Sequence, residues 1–275
     1  MSDRFELHLD ITDTSDPVSL LAGACDLSKQ RIKQVMQKGA VWLTRGKQTK
    51  RLRRHSKPLQ PGQQLHMYYD AKVLEQQPPQ PLLIVDEGDY SLWHKPRGVL
   101  SQGSKWSDHC TINRLVEQQL QHQRPAQIIH RLDRAASGLI LIGHSRTATA
   151  ALAKLFEQRQ LNKRYRVVVS GQFAANEQTI SDPIDGRHAT SHVHHLAYNP
   201  SNDRSLLEVK IETGRKHQIR RHLAGIGFPV VGDRLYGEGE PEQDLQLTAA
   251  QLAFTCPLSG EPRHYQLPKE FLPHF

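Results

Sequence analysis

The chain has 275 residues, 37% hydrophobic and 23% charged, with a formal net charge of +8. That length holds one large or two smaller domains with a sizeable core. No apolar run is long enough for a membrane helix.

The first twenty residues carry Asp3, Glu6, Asp10, Asp13 and Asp16 without an apolar stretch, so they do not read as a signal peptide. Asp16 suits an N-cap and Pro17 a first helical position, leading into an apolar helix from Val18. Ser28 caps a second expected helix, with Ile32, Val35 and Met36 at helical spacing and Gly39 at its end. A strand is expected over 40–43, a turn at Pro61-Gly62 and a strand over 65–69. Between them runs Arg45, Lys47, Lys50, Arg51, Arg53, Arg54 and Lys57 with no acid interposed. Residues 1–75 hold 13 Lys+Arg against 8 Asp+Glu, so about +5 of the excess sits there. A basic stretch this dense suits phosphate binding, with Arg45, Lys47, Lys50, Arg51, Arg53 and Arg54 as candidates; a solvated loop is the plainer reading. Two short helices followed by strands around a basic loop resemble the small α-L RNA-binding module, over about residues 16–70.

Residues 75–82 are rich in Pro and Gln and read as a linker between an N-terminal module, 1–74, and a larger domain, 83–275. In that domain Thr111 and Ser145 suit helix caps. Leu207, Val209 and Ile211 alternate with charged residues, as a half-buried strand does. Helices and strands do not alternate regularly, so an α+β fold is expected, with a mainly antiparallel sheet and flanking helices. Gly237 to Glu242 reads as an exposed loop. Cys25, Cys110 and Cys256 stand far apart with no Cys-x-x-Cys pair, which points to a reducing compartment, the cytoplasm. His188, His192, His194 and His195 suggest metal only weakly, because adjacent His194 and His195 face opposite sides of a strand; no metal is expected.

Two segments carry most of the chemical signal. His130-Arg131-Leu132-Asp133-Arg134-Ala135-Ala136-Ser137-Gly138 runs straight into the apolar Leu139 to Ile142, a buried strand by its pattern. A carboxylate held just ahead of a core strand is where rigid scaffolds carry chemistry; the same residues also suit a local ion-pair turn. Thr213-Gly214-Arg215-Lys216-His217-Gln218-Ile219-Arg220-Arg221-His222-Leu223 reads as a turn and a basic helix. Ile219, Leu223 and Ile226 lie on its apolar face. Its start suits a phosphate or a partner carboxylate, or is simply a basic surface.

These two segments resemble the paired signatures of RluA-type RNA pseudouridine synthases. Lys95-Pro96-Arg97-Gly98, Lys163-Arg164-Tyr165 and Gly227-Phe228-Pro229-Val230-Val231-Gly232-Asp233 follow in the family's order, so the likeness covers about residues 82–272. It implies isomerisation of uridine in RNA, most simply large-subunit (23S) ribosomal RNA with transfer RNA second. No cofactor and no membrane are implied, and a monomer is expected. It implies Asp133 as the essential carboxylate, Arg220 as its cation, and Tyr165 and Ile219 as the two walls around the base. Arg131, His130 and Arg215 become substrate-binding candidates, Arg131 for the space a flipped base leaves. Ala135-Ala136 and Phe228 depart from the family pattern. A catalytically silent RNA-binding protein and a nucleoside hydrolase are the rival readings.

Overall fold

A computed structural model describes residues 3–54, 57–238 and 243–275. Most of the loop expected at Gly237 to Glu242 therefore lies outside the described residues. The chain forms two compact units, one of residues 1–78 and 102–115, the other of 79–101 and 116–275. Residues 102–115 lie in the first unit, although the sequence pattern assigns them to the larger domain.

The first unit is a four-stranded antiparallel sheet backed by helices. In chain order it holds β1 (Arg4–Asp10), α1 (Pro17–Ala24), α2 (Lys29–Gln37), β2 (Val41–Arg45), β3 (Gln48–Arg51), β4 (Gln64–Asp70) and the short α3 (Ala71–Leu74). The strand order is β1-β4-β2-β3. Asp16 caps α1 by accepting from the Ser19 N–H at 2.8 Å, and Ser28 caps α2 at Arg31 N–H. Leu21, Ile32, Met36, Leu65 and Met67 are fully buried and form its core. Phe5, Leu7 and Leu9 alternate inward along β1.

The second unit is built on a mixed, mainly antiparallel sheet, as the α+β expectation required. It adds β5 (Leu82–Asp86), β6 (Tyr90–Lys95), α4 (Ile112–Gln119, which begins in the first unit), β7 (Gln127–Ile128), β8 (Ser137–Gly143) and α5 (Arg146–Glu157). There follow β9 (Leu161–Ser170), β10 (Glu177–Ile180), β11 (Ser191–Asn199), β12 (Arg204–Ile211), α6 (Gln218–Gly225), β13 (Leu247–Thr255) and β14 (Pro262–Gln266). The main path runs β10-β11-β12-β9-β13-β8-β6-β5. Strand β8 is buried throughout, and its one parallel neighbour is β13. Each large apolar side chain it buries contributes about 1.5–3 kcal/mol. Gly138 has φ +116°, and a Cβ there would stand 2.3 Å from the Ala249 carbonyl oxygen. Only glycine lets β8 approach β13 this closely. Ser145 caps α5 at Ala148 N–H. At the start of α4 the Thr111 hydroxyl donates to the Asp108 carbonyl at 2.7 Å. Among the described residues no helix is long and apolar enough to cross a membrane.

Candidate active site

The loop that leads into β8 is pinned by the segment after β6. Lys95, buried at the end of β6, donates to the carbonyls of Ala136 at 2.7 Å, Val99 at 2.9 Å and Pro96 at 3.2 Å. The Gly98 N–H donates to the Arg134 carbonyl. The Ser101 hydroxyl donates to the Leu132 carbonyl at 2.7 Å and accepts from its N–H at 3.0 Å. Burial pulls the Lys95 ammonium down to about 7, against the attraction of Asp133 and with help from Arg97. The result is a loop whose Asp133 projects into a cleft of about 630 Å3 with little freedom to move.

Across the cleft lies the start of α6. The sequence pattern places Lys216 and His217 on the helix, but α6 begins only at Gln218, and residues 213–217 form a turn. Buried Gln218 organises that turn. Its side-chain oxygen accepts from the Thr213 hydroxyl at 2.6 Å and from Arg215 N–H, and its amide donates to Thr190 carbonyl. His217 occupies the left-handed region at φ 54°. Its Nδ1 lies 2.9 Å from the Tyr236 hydroxyl, and its Nε2 lies 3.9 Å from Asp133. Burial lowers its pKa, opposed by Asp133 and aided by Arg220.

Arg220 is buried and reaches two carboxylates. Asp233 takes it in a two-pronged pair at 2.7 and 2.6 Å, while Asp133 lies 3.6 Å from its Nη1. Burial alone would lower the guanidinium's pKa; Asp233, and then Asp133, outweigh it and hold it above the usual value. Burial would likewise raise Asp233, but Arg220 and the backbone N–H groups of Leu235 and Tyr236 hold it below the carboxylate range. Gly232, at φ +77°, packs against Asp244 so closely that a Cβ would meet its carbonyl oxygen at 2.2 Å. That approach sets the turn from which Asp233 reaches Arg220. The Tyr236 ring lies 5.2 Å from the guanidinium.

Tyr165 on β9 and Ile219 on α6 both line the cleft, as do Arg131, His130 and Arg215. Burial, then the charge of Asp133, pushes the Tyr165 hydroxyl well above the usual tyrosine range. An aromatic ring and an aliphatic side chain bounding a slot suit a planar base drawn from its stack. His130 lines the cleft with one ring nitrogen already engaged. Its Nε2 accepts from Leu141 N–H at 3.1 Å and its ring stacks on Phe156 at 4.3 Å, so its polar edge serves β8. Burial holds its pKa at about 3. Arg215 donates to the His188 carbonyl at 2.9 Å, tying the turn to the segment before β11. Phe228 packs edge-on against Phe173 at 5.0 Å, and Ala136 is buried in the same core.

One expectation outside the cleft changes. Arg51 and Arg53 turn inward on Asp108, which lies 3.2 Å from Arg51 Nε. Arg51 also lies over the Trp42 ring at 4.1 Å. Arg45, Lys47, Lys50 and Arg54 are exposed. The histidines of β11 pair with carboxylates, His192 with Glu212 at 2.8 Å and His194 with Glu177 at 3.4 Å. Asp233, Gln218 and Lys95 do not stand out in the sequence as functional residues. Asp233 had a readable signal, a carboxylate fixed behind a glycine in a chain with a basic helix to satisfy.

Comparison with known proteins bears on this geometry. Residues 89–225 match the model of a family described as RNA pseudouridylate synthase. The chain is 31% identical to the dual-specificity RNA pseudouridine synthase RluA of Vibrio vulnificus, over 69% of this chain and 84% of that one. It is 32% identical to the ribosomal large subunit pseudouridine synthase D of Zymomonas mobilis, over 49% of this chain and 50% of that one. The fold resembles human RNA pseudouridylate synthase domain containing 1, with a TM-score of 0.60 at 22% identity, covering 72% of this chain and 88% of that one.

Proposed function

The chain belongs to the RNA pseudouridine synthase family, and from that premise we propose that it converts specific uridines of large-subunit ribosomal RNA to pseudouridine, with Asp133 as the catalytic carboxylate. The observation that carries the reading is Asp133 itself. It projects into the cleft within reach of Arg220 and His217, with Tyr165 and Ile219 along the same walls.

The reaction breaks the bond between N1 of uracil and C1′ of ribose and forms one between C5 and C1′. C5 loses a proton and N1 gains one, so atoms and electrons balance without an external oxidant or acceptor. An ionised carboxylate serves as a nucleophile toward sugar or base, or as a base at the ribose. Arg220 supplies a cation that faces Asp133 and aims it, and Asp233 keeps Arg220 in place. The slot beside Tyr165 holds the detached uracil while it turns. The exposed cations of the first unit suit an RNA backbone. The Zymomonas mobilis relative's name supports ribosomal RNA.

The test uses RNA from cells lacking this protein. Added enzyme should form pseudouridine at defined positions of large-subunit ribosomal RNA, and Asp133→Asn should form none while keeping most of the RNA affinity. Absence of product on every cellular RNA, or release of free uracil, overturns the enzyme reading. Product confined to transfer RNA overturns the substrate.

A further inference from the structure

Strand β9 sends alternate side chains to opposite faces. Arg164 and Arg166 point one way and both pair with Glu208, which lies 3.2 Å from Arg166 Nη2. Lys163 and Tyr165 point the other way, and both line the cleft that holds Asp133. Two residues along a strand span about 6.7 Å, so a cation stands one step from the ring that bounds the base slot.

Among the Lys and Arg side chains lining this cleft, Lys163 and Arg215 are the half-buried ones, and Arg215 is spent on the His188 carbonyl. The Lys163 ammonium makes no hydrogen bond and no ion pair among the described residues. This ammonium lies over the Phe156 ring at 5.7 Å, and that ring is held in turn by His130. On the cleft side it faces Gly214, where even an added Cβ would stay 4.0 Å away. Glycine there leaves room beside the ammonium. Burial, and then repulsion from Arg159, lowers the pKa of Lys163. Holding a half-buried ammonium without an anion is unfavourable, and an arriving anion relieves it. Cations predominate in the lining, with Arg131, Arg159, Arg215 and Lys216 against Asp133, Glu157 and Glu212.

We propose that Lys163 anchors the phosphodiester adjacent to the target uridine, so that Tyr165 receives the base while Lys163 fixes its backbone. The proposal rests on this cleft being the place where the uridine binds. A lysine suits the task because a compact ammonium with three rotatable donors grips a phosphate without reading sequence. Fixing the backbone at one point limits how far the ribose can drift from Asp133 while the base turns. Lys163 is thus a positioning residue, and Asp133 keeps the chemistry.

The test separates these roles by reading binding alone. The probes are a single-stranded hexanucleotide with one central uridine and two copies of it, each carrying one neutral methylphosphonate, on the 5′ or the 3′ side of that uridine. Wild-type full-length protein should bind one of the two neutral probes about tenfold more weakly than the charged one. Lys163→Met, which keeps the apolar stem over Phe156, should bind all three alike, at the level of wild type with its weakest probe. Lys163→Arg should recover part of the preference and shows that loss is not misfolding. If Lys163→Met retains the full wild-type preference, or if wild type shows no preference, the proposal is overturned. Binding discrimination without pseudouridine formation by wild type would sink the enzyme reading and leave the anchor standing. Product formation without discrimination would do the reverse.

Discussion

Asp233 grips Arg220 with both carboxylate oxygens, at 2.7 and 2.6 Å, while Asp133 lies 3.6 Å from the same guanidinium. The closer partner, Asp233, is not among the residues that line the cleft, whereas Asp133 is. Arg220 is therefore held from behind and offers its remaining edge to Asp133. A fork-shaped donor held at two points has its direction set before substrate arrives.

Asp233→Ala should consequently damage more than one property. It leaves a buried guanidinium with only its more distant carboxylate, and breaking a buried pair this way costs about 3–5 kcal/mol. Urea unfolding should show that loss. Where the variant remains folded, Arg220 is free to close on Asp133, and single-turnover pseudouridine formation should fall at least tenfold. A variant with wild-type stability would show that Leu235, Tyr236 and the Arg220 carbon stem suffice to hold the turn.

The basic run divides into two groups with different predicted behaviour. Arg45, Lys47, Lys50 and Arg54 are exposed, whereas Arg51 and Arg53 are committed to Asp108. Replacing the exposed four with alanine should weaken RNA binding and flatten the slope of log affinity against log salt by about 0.7–0.9 for each phosphate no longer neutralised. Arg53→Ala should leave that slope unchanged and instead lower stability by about 1–3 kcal/mol, because it strips a donor from a mostly buried carboxylate. Salt titrations and urea unfolding on both variants check the division; equal slopes for the fourfold variant and wild type would refute it.

This contrast marks what was legible in the sequence. The grouping of Asp133, Arg220, Tyr165 and Ile219 was readable because each sits in a motif of the resemblance; three of them line one cleft and Arg220 lies 3.6 Å from Asp133. The caps at Asp16, Ser28 and Ser145 were readable because capping is local. Asp108 and Gln218 were not, and Asp233 was readable as a carboxylate but not by its partner, because such partners are fixed only when distant strands and turns meet. His130 lines the cleft beside Arg131, and its sequence pattern did not show that Nε2 is taken by Leu141 N–H. β1 alternates cleanly and β3 lies inside the basic run, and in both places charge drew attention away from period.

His130 yields a pH prediction with a definite sign. Its Nε2 accepts a backbone N–H, so the folded state requires the neutral ring, and burial holds the folded pKa at about 3 against an ordinary 6.5. Between those values the unfolded chain holds the extra proton. Its contribution to stability is therefore complete above about pH 6.5, falls as pH drops through the window and levels off near 3, with a slope of at most about 1.4 kcal/mol per unit. His94, held at about 4 by burial and by Lys95 and Arg97, adds to the same trend. Urea unfolding at pH 7 and pH 5 measures it. His130→Asn should flatten the difference, and an unchanged slope would remove His130 as its source.

Lys95 ties the fold to the loop that carries Asp133. Its buried ammonium donates to carbonyls on both sides of the segment that pins that loop, those of Pro96, Val99 and Ala136. Lys95→Met keeps the length of the side chain and removes every donor. A buried carbonyl left unpaired costs about 1–3 kcal/mol, so an overall loss of about 2–5 kcal/mol is expected after partial relaxation. Lys95→Arg should not rescue it, because a guanidinium does not fit a slot closed on all sides. The functional loss should fall on turnover more than on RNA affinity, since the loop that loosens carries Asp133 and not the exposed cations. Unfolding free energy, RNA affinity and single-turnover rate on the Met variant decide this. Wild-type values for stability and rate would mean that Gly98 and Ser101 hold the loop without the ammonium.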